Sequence, residues 1–356
     1  MPLSPAQRAW IAVLIFLLLV VTGIGGFYYW EIHRPAPSGP AFSPEIAGPP
    51  PDVLSVLPPD APVVGYVDAE ALRRLPNFSL AGFVSLISSG PQNQRAYNDF
   101  VRGTGFDSSR DLDHAALAYW PTGFGTPDNV LGQDRFVAVA DGRFDQPRIQ
   151  AYIVRLGGKQ VARGTQSIFQ APGNPPISLE FMSPTRLVIA GGRGATDLVA
   201  DAVSDGSRPR DAAMQLRLQK IGGAPLFAVA KTDHLPQSFY ASFQNAPQLE
   251  QLARSVRALT LVGQPIGDLL NLGLTAECDS AKNALTISFL LEGGRMAASM
   301  AVSSPDARRQ MTSAQIDLLN ALVDQAKIVH QGNQVRINLN ITPTMLSAPP
   351  APKRAS

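Results

Sequence analysis

Val335-Arg336-Ile337-Asn338-Leu339-Asn340-Ile341-Thr342 alternates without a break, with Val335, Ile337, Leu339 and Ile341 on one side and Arg336, Asn338, Asn340 and Thr342 on the other. A period of two is the signature of a β-strand with one covered face. Ala326 to His330 reads as its partner, and Gln331-Gly332-Asn333-Gln334 as the connecting turn. The chain therefore ends in an antiparallel hairpin whose apolar side needs a cover.

Working outward, further strands are expected at Val63 to Asp68, Ala115 to Trp120, Phe136 to Asp141, Ser178 to Met182 and Leu187 to Ala190. Beyond Ala224 they are expected at Pro225 to Lys231, Ala258 to Val262, Leu270 to Cys278 and Leu285 to Glu292. The last two form a hairpin across Asp279 to Asn283, because Leu285, Ile287, Phe289 and Leu291 alternate with Thr286, Ser288, Leu290 and Glu292. Helices fit Pro147 to Leu156, capped by Asp145, and Ala195 to Val203. A further helical stretch runs from Pro236 to Arg257, interrupted near Ala246-Pro247. The clearest helix follows Ser304-Pro305, with Ala307, Met311, Ala314, Leu318 and Leu322 at steps of four and three. The expected fold class is α+β, an antiparallel sheet covered by helices on one face.

Two halves echo each other. Ala61-Pro-Val-Val-Gly-Tyr-Val matches Ala224-Pro-Leu-Phe-Ala-Val-Ala, and Ala116-Leu-Ala-Tyr-Trp-Pro resembles Ala258-Leu-Thr-Leu-Val-Gly-Gln-Pro. The expected halves are residues 53–222 and 223–346, followed by a Pro- and Ala-rich tail at 347–356.

The N-terminus has a different character. No charge falls between Arg8 and Glu31, and Trp10 to Trp30 reads WIAVLIFLLLVVTGIGGFYYW. A helix needs about 20 apolar residues to cross a bilayer core. Trp10 marks one end, and Tyr28, Tyr29 and Trp30 the other, as expected of rings that prefer the two interfaces. A cleaved signal peptide has a shorter apolar core and small residues at its cleavage site, whereas this run ends in bulky rings. Residues 10–30 are therefore read as a retained single-pass membrane helix that partners the bilayer. Residues 1–9 form a cytoplasmic tail, and the body lies in the periplasm or outside a bacterial inner (plasma) membrane. Residues 31–52 link the two. Seven prolines in the seventeen residues from Pro35 to Pro51 favour an extended spacer.

Composition narrows the partners. Charged residues are only 16%, apolar residues 45%, and the net charge is +2. No basic block interleaved with aromatics occurs, which argues against nucleic acid. The single cysteine, Cys278, allows no internal disulfide and no multi-cysteine metal cluster. It reads as a small buried hydrophobe.

Leu57-Pro58-Pro59-Asp60-Ala61-Pro62, followed by Tyr66-Val67-Asp68 and Ala71-Leu72-Arg73, resembles the opening of a group of uncharacterised bacterial envelope proteins with an N-terminal membrane anchor. Gly142-Arg143-Phe144-Asp145, Leu187-Val188-Ile189-Ala190-Gly191, Leu274-Thr275-Ala276-Glu277-Cys278-Asp279 and Val335-Arg336-Ile337-Asn338-Leu339 are similar to the same group. The resemblance implies the tether and the α+β body; it implies no activity and no site.

Chemistry is sparse. No Gly-x-Ser-x-Gly elbow, phosphate loop with its lysine, or His-x-x-x-His pair occurs, so no catalytic residue, cofactor or metal is nominated. Gly191-Gly192-Arg193-Gly194-Ala195-Thr196 reads as a tight strand-to-helix turn. The densest ligand-like cluster is Asp111-Leu112-Asp113-His114, read as a polar turn before the strand at Ala115 rather than a metal site. Phe124 sits between two glycines in the long loop Pro121 to Gln133, which makes this loop, with Asp111, Asp113 and His114, the candidate contact surface. The leading function is a non-catalytic binding or structural ectodomain for an envelope partner. The alternatives are a carrier of lipid or another apolar molecule, and an envelope hydrolase in which His114, Asp111 or His234 meets a serine or another carboxylate.

Overall fold

A computed structural model describes residues 51–74, 91–121, 135–173, 176–204, 210–235, 240, 246–267, 269–302, 316, 320 and 323–342. The expected anchor, linker, C-terminal tail and the 122–134 loop with Phe124 lie outside these residues, as does most of the helix expected after Ser304. Of that helix, Ile316, Asn320 and Val323 to Gln325 are described and are helical.

The strands are β1 (Val63–Asp68), β2 (Leu112–Trp120), β3 (Arg135–Gly142), β4 (Lys159–Arg163), β5 (Gln166–Ala171), β6 (Ile177–Ser183), β7 (Arg186–Gly191), β8 (Leu226–Lys231), β9 (Val256–Ile266), β10 (Leu269–Cys278), β11 (Lys327–Gln331) and β12 (Gln334–Ile341). The helices are α1 (Ala69–Arg73), α2 (Pro91–Thr104), α3 (Ser108–Asp111), α4 (Gln146–Arg155), α5 (Ala195–Ser204), α6 (Ala212–Ile221), α7 (Pro247–Ser255) and α8 (Ala281–Val302). The twelve strands among the described residues join one sheet in the order β11-β12-β10-β9-β8-β1-β2-β3-β7-β6-β5-β4, and each neighbouring pair is antiparallel. Both edges are five-residue strands carrying Lys159, Arg163 or Lys327. Short charged edges discourage pairing with other chains.

The fold class is mixed helix and antiparallel sheet, as expected, but the helices cover both faces. Partners in register share a face, so Val64, Ala118, Val137 and Ala190 form one row, and Tyr66, Ala116, Val139 and Val188 the next. These residues lie in the main core under the Asp52–Val56 turn, α5 and α6. On the opposite face Val67, Leu226 and Leu272 pack under α1, Leu179, Leu187 and Ile189 under α4, and Val335 under α8. The reason is visible in β1: Val63 and Val67 flank Gly65 on one side, while Val64 and Tyr66 sit on the other. A strand apolar on both sides needs two covers, unlike the alternating β12.

Leu285 to Glu292, expected as a strand, is helical and belongs to the 22-residue α8. Its apolar residues fit period two, but Ala284, Ile287 and Leu291 also fall on one helical face and pack on Cys278 and Val335. The start is set by Ser280, whose Oγ accepts from the Asn283 N–H at 3.2 Å. The partner of β10 in a hairpin is therefore β9, across a turn with Gly267 at φ +63°. Of the expected 236–257 helix, Tyr240 is helical and α7 spans Pro247–Ser255, after which Val256 already begins β9. The β4–β5 hairpin and helices α1, α2, α3 and α6 were not anticipated.

Cys278 is 2% exposed, and burial followed by the nearby Asp279 pushes its thiol up to about 11. The folded protein is expected to leave an aromatic disulfide reagent unreacted at pH 8 and to consume one equivalent on unfolding in guanidinium. Rapid reaction in the folded state contradicts this burial.

Candidate functional site

The cluster nominated in sequence, Asp111, Asp113 and His114, is divided three ways. Asp111 ends α3 and is 10% exposed. Its carboxylate accepts from Arg110 Nε at 2.9 Å, Arg110 Nη2 at 2.7 Å and the Asp107 N–H at 2.9 Å, with Arg143 Nε 3.6 Å away. Asp113 occupies a β-bulge, where the β2–β3 register shifts between Leu112 and His114. It accepts from Arg73 Nη2 of α1 at 3.1 Å, and Arg73 also donates to the Leu112 carbonyl. His114 turns to the opposite face.

There His114 meets residues that sequence reasoning passed over. Tyr66 Oη and His114 Nδ1 are in hydrogen-bond contact at 3.0 Å, and Asp68 Oδ1 lies 3.6 Å from the same nitrogen. Asp68 and His114 are register partners across β1–β2, as are His114 and Asp141 across β2–β3 and Asp141 and Arg186 across β3–β7. Arg186 grips Asp141 in a two-pronged pair at 2.7 Å and 2.7 Å, and reaches Asp52 at 3.0 Å. Tyr66, Asp68, His114, Asp141 and Arg186 each sit within two positions of a strand end, so the row rims the main core where the Asp52–Val56 turn lies on it. Strand-end polarity was legible in sequence; the register that aligns four such ends was not.

The chemistry of this rim is conservative. Burial, followed by the charges of Asp68, Asp52 and Asp141, pushes the Tyr66 hydroxyl above the ordinary tyrosine range. It therefore stays a protonated donor, the opposite of an activated base or nucleophile. Asp68 also caps α1, its Oδ1 accepting from the Ala71 N–H at 2.7 Å. Among the described residues no group of three His, Cys, Asp or Glu could hold a metal. His234 lies in the Thr232–His234 turn, 54% exposed and 3.8 Å from Asp233. Of the residues named for the hydrolase alternative, His114 has the Asp68 carboxylate 3.6 Å away, whereas Asp111 is paired with Arg110 and His234 lies in its exposed turn.

Asp111 gives a pH prediction. The hydrogen bond from Arg110, then the Asp107 N–H and the charges of Arg110 and Arg143, hold its carboxyl at about 2, below the ~3.9 of an unfolded aspartate. A lowered folded pKa stabilises above the unfolded value, and that stability is lost as pH falls from about 4 towards about 2. Asp111→Asn is expected to cost about 1–2 kcal/mol at pH 7 and under about 0.5 kcal/mol near pH 2. Denaturant midpoints across that range check it.

The glycine run after β7 makes a strand-to-helix turn. Gly192 and Gly194 have φ of +94° and +74°, and the Ala195 N–H donates to the Gly192 carbonyl at 3.2 Å as α5 begins. Trp10, Tyr28, Tyr29, Trp30 and Phe124 lie outside the described residues. No described helix is long and apolar enough to cross a membrane.

No family model matches the chain, and no curated protein matches it. Among solved structures the chain is similar to three crystal forms of TP0453. Form III is 14% identical, with a TM-score of 0.47, and covers 82% of this chain and 95% of its own. Form I is 11% identical at 0.44, covering 83% and 95%. Form IV is 13% identical at 0.43, covering 84% and 95%. Likeness at this level carries no conclusion about activity.

Proposed function

We propose that this chain is a single-pass protein of a bacterial inner membrane, with its N-terminus cytoplasmic and its body a non-catalytic binding or structural ectodomain in the periplasm or outside the cell. The observation that supports the non-catalytic reading is the rim just described: its histidine and carboxylates hold the Asp52–Val56 turn, α1 and the sheet together, and its tyrosine is kept protonated. The tether is supported by the uncharged Trp10 to Trp30 run, the ring residues at each end and the prolines that follow. The test is alkaline carbonate extraction of cells expressing the full chain, with a C-terminal reporter active only outside the cytoplasm. Retention in the pellet with an active reporter is expected. Release into the supernatant defeats the tether, and capture of no partner after crosslinking in the envelope counts against binding.

A second reading, a carrier of lipid or another apolar molecule, is favoured by one row on the second sheet face. Ile337, Leu274, Leu261, Ala228, Gly65, Leu117, Ala138 and Ile189 are neighbours in register across eight strands, with no polar residue among them. Leu117 and Leu274 in this row are 39% and 36% exposed, whereas Val64, Ala118 and Val137 on the other face are at 0%. Organic extraction of purified protein followed by mass spectrometry tests it; the carrier reading requires an apolar molecule at near one per chain.

The two halves are proposed to be related. Counting outward from the central β1–β8 pair, the order is β1, β2, β3, β7, β6 on one side and β8, β9, β10, β12, β11 on the other. The matched residues Val64 and Phe227, and Tyr66 and Val229, point to the same face. The β4–β5 hairpin is extra to the first half.

A further inference from the structure

We infer that α8 is a membrane-contact helix, its outward stripe of Leu285, Phe289, Met296 and Met300 seating in the apolar layer of a lipid surface. This deepens the proposed function and rests on its tether.

The starting point is that α8 carries a second apolar face. The face of α8 that packs on the protein is made of Ala284, Ser288, Gly294, Ala297 and Ala298, all buried, with Ile287 and Leu291 partly buried beside them. Four further large apolar residues face away: Leu285 is 41% exposed, Phe289 45%, Met296 39% and Met300 68%. At 3.6 residues per turn these four fall within about 60° of one another and extend about 22 Å along the axis. Gly293 lies in the same stripe, where an added Cβ would meet nothing within 4 Å. Between Lys282 and Val302 the only charged residues are Glu292 and Arg295, and they neutralise each other at 2.9 Å. Apolar residues scattered singly on a surface are ordinary; a contiguous stripe of them marks a contact.

The chemistry of the partner follows from area and tolerance. A stripe one side chain wide offers on the order of 300 Å², well under the ~800 Å² that each partner gives to a stable pair of proteins. A second copy would also have to match its shape. Lipid chains require no shape match, and methionine is the side chain that adapts most readily to a fluid apolar surface. A tether turns such weak contact into an intramolecular event at high effective concentration. The linker enters at the Asp52–Val56 turn on the opposite sheet face. Contact therefore needs the domain to lie over on its β11–β12 end, which roughly 20 residues of extended spacer allow.

The test uses the full chain reconstituted into vesicles of phosphatidylcholine and phosphatidylglycerol at about 3:1. An environment-sensitive fluorophore is attached in turn through Phe289→Cys and Met300→Cys, and through Val154→Cys on α4 and Leu216→Cys on α6 as controls. Val154 and Leu216 are 57% and 55% exposed, and the native Cys278 is buried. Labels at 289 and 300 are expected to shift to the blue and to be quenched at least two-fold more than the controls by lipids carrying a nitroxide on the acyl chain. If the chain resists carbonate and the labels at 289 and 300 quench no more than the controls, the inference is overturned and the tether stands. A blue shift without lipid quenching, rising with protein-to-lipid ratio, means that a second copy covers the stripe and also overturns it. If carbonate strips the chain from the vesicles, the tether reading itself fails and takes the inference with it.

Discussion

Phe227→Ala is expected to destabilise the protein by about 3–5 kcal/mol. Phe227 lies on β8 at the centre of the sheet, 1% exposed, with Tyr66 beside it at a ring-centroid distance of 5.3 Å. It faces the main core, where Val64, Val137, Val139, Val188 and Val229 are at 0%. Removing a ring from such a site forfeits its transfer free energy and leaves a cavity, and rigid strands on each side cannot collapse into it. Leu117→Ala is the matched control. Leu117 projects from β2 on the opposite face and is 39% exposed, so its loss is expected to cost about 1 kcal/mol. Guanidinium midpoints for the two variants measure the difference directly. Equal losses contradict the claim that one face of the central strands carries most of the stability.

Arg210→Ala is expected to cost about 2–3 kcal/mol, chiefly by releasing the Asp52–Val56 turn. Arg210 lies just before α6 and is sufficiently buried that its guanidinium is held below the ordinary arginine range. It donates to the Leu57 and Pro58 carbonyls at 3.2 Å each, and also to the Leu54 carbonyl. Val53, Leu54, Val56 and Leu57 of the same segment are buried in the main core. Without the guanidinium, the Leu57 and Pro58 carbonyls lose a charged donor in a place that water reaches poorly, which costs more than the bonds alone. Arg210→Lys is expected to recover less than half, because an ammonium is a point donor and cannot span three carbonyls. The signature is local: limited proteolysis should cut near residues 50–60 at denaturant concentrations that leave the sheet folded. A variant that loses stability without this early cleavage contradicts the clamp.

How far the fold was legible depended on whether a segment had two competing readings. β1 and β12 were placed within one residue of their observed bounds, because strict alternation or a β-branched run between turn residues fits only one period. Asp145 was legible as a cap, and its carboxylate does accept from the Arg148 N–H at 3.1 Å. Residues 285–292 failed because a segment this apolar satisfies both periods; Ser280 was the signal that should have decided for a helix. The β4–β5 hairpin was missed because Lys-Gln-Val-Ala-Arg, at an exposed edge, has no face to bury and so no pattern to show. α6 did carry one: Met214, Leu218 and Ile221 recur at four and three behind the cap Asp211.

The site was less legible than the fold. Asp111, Asp113 and His114 are neighbours in the chain, yet a bulge and the two faces of a strand send them to three environments. Tyr66, Asp68, His114, Asp141, Arg186 and Asp52 are spread over more than a hundred residues and converge on one rim. Local periodicity follows from the chemistry of adjacent residues, so the sequence by itself determined most of the strands, several caps and the apolar N-terminal run. Which strands lie side by side, in what register, and which face each helix covers depends on burying apolar surface contributed by distant segments at once. Only the tertiary structure decided those, and with them the rim, the two-sided sheet and the outward stripe of α8.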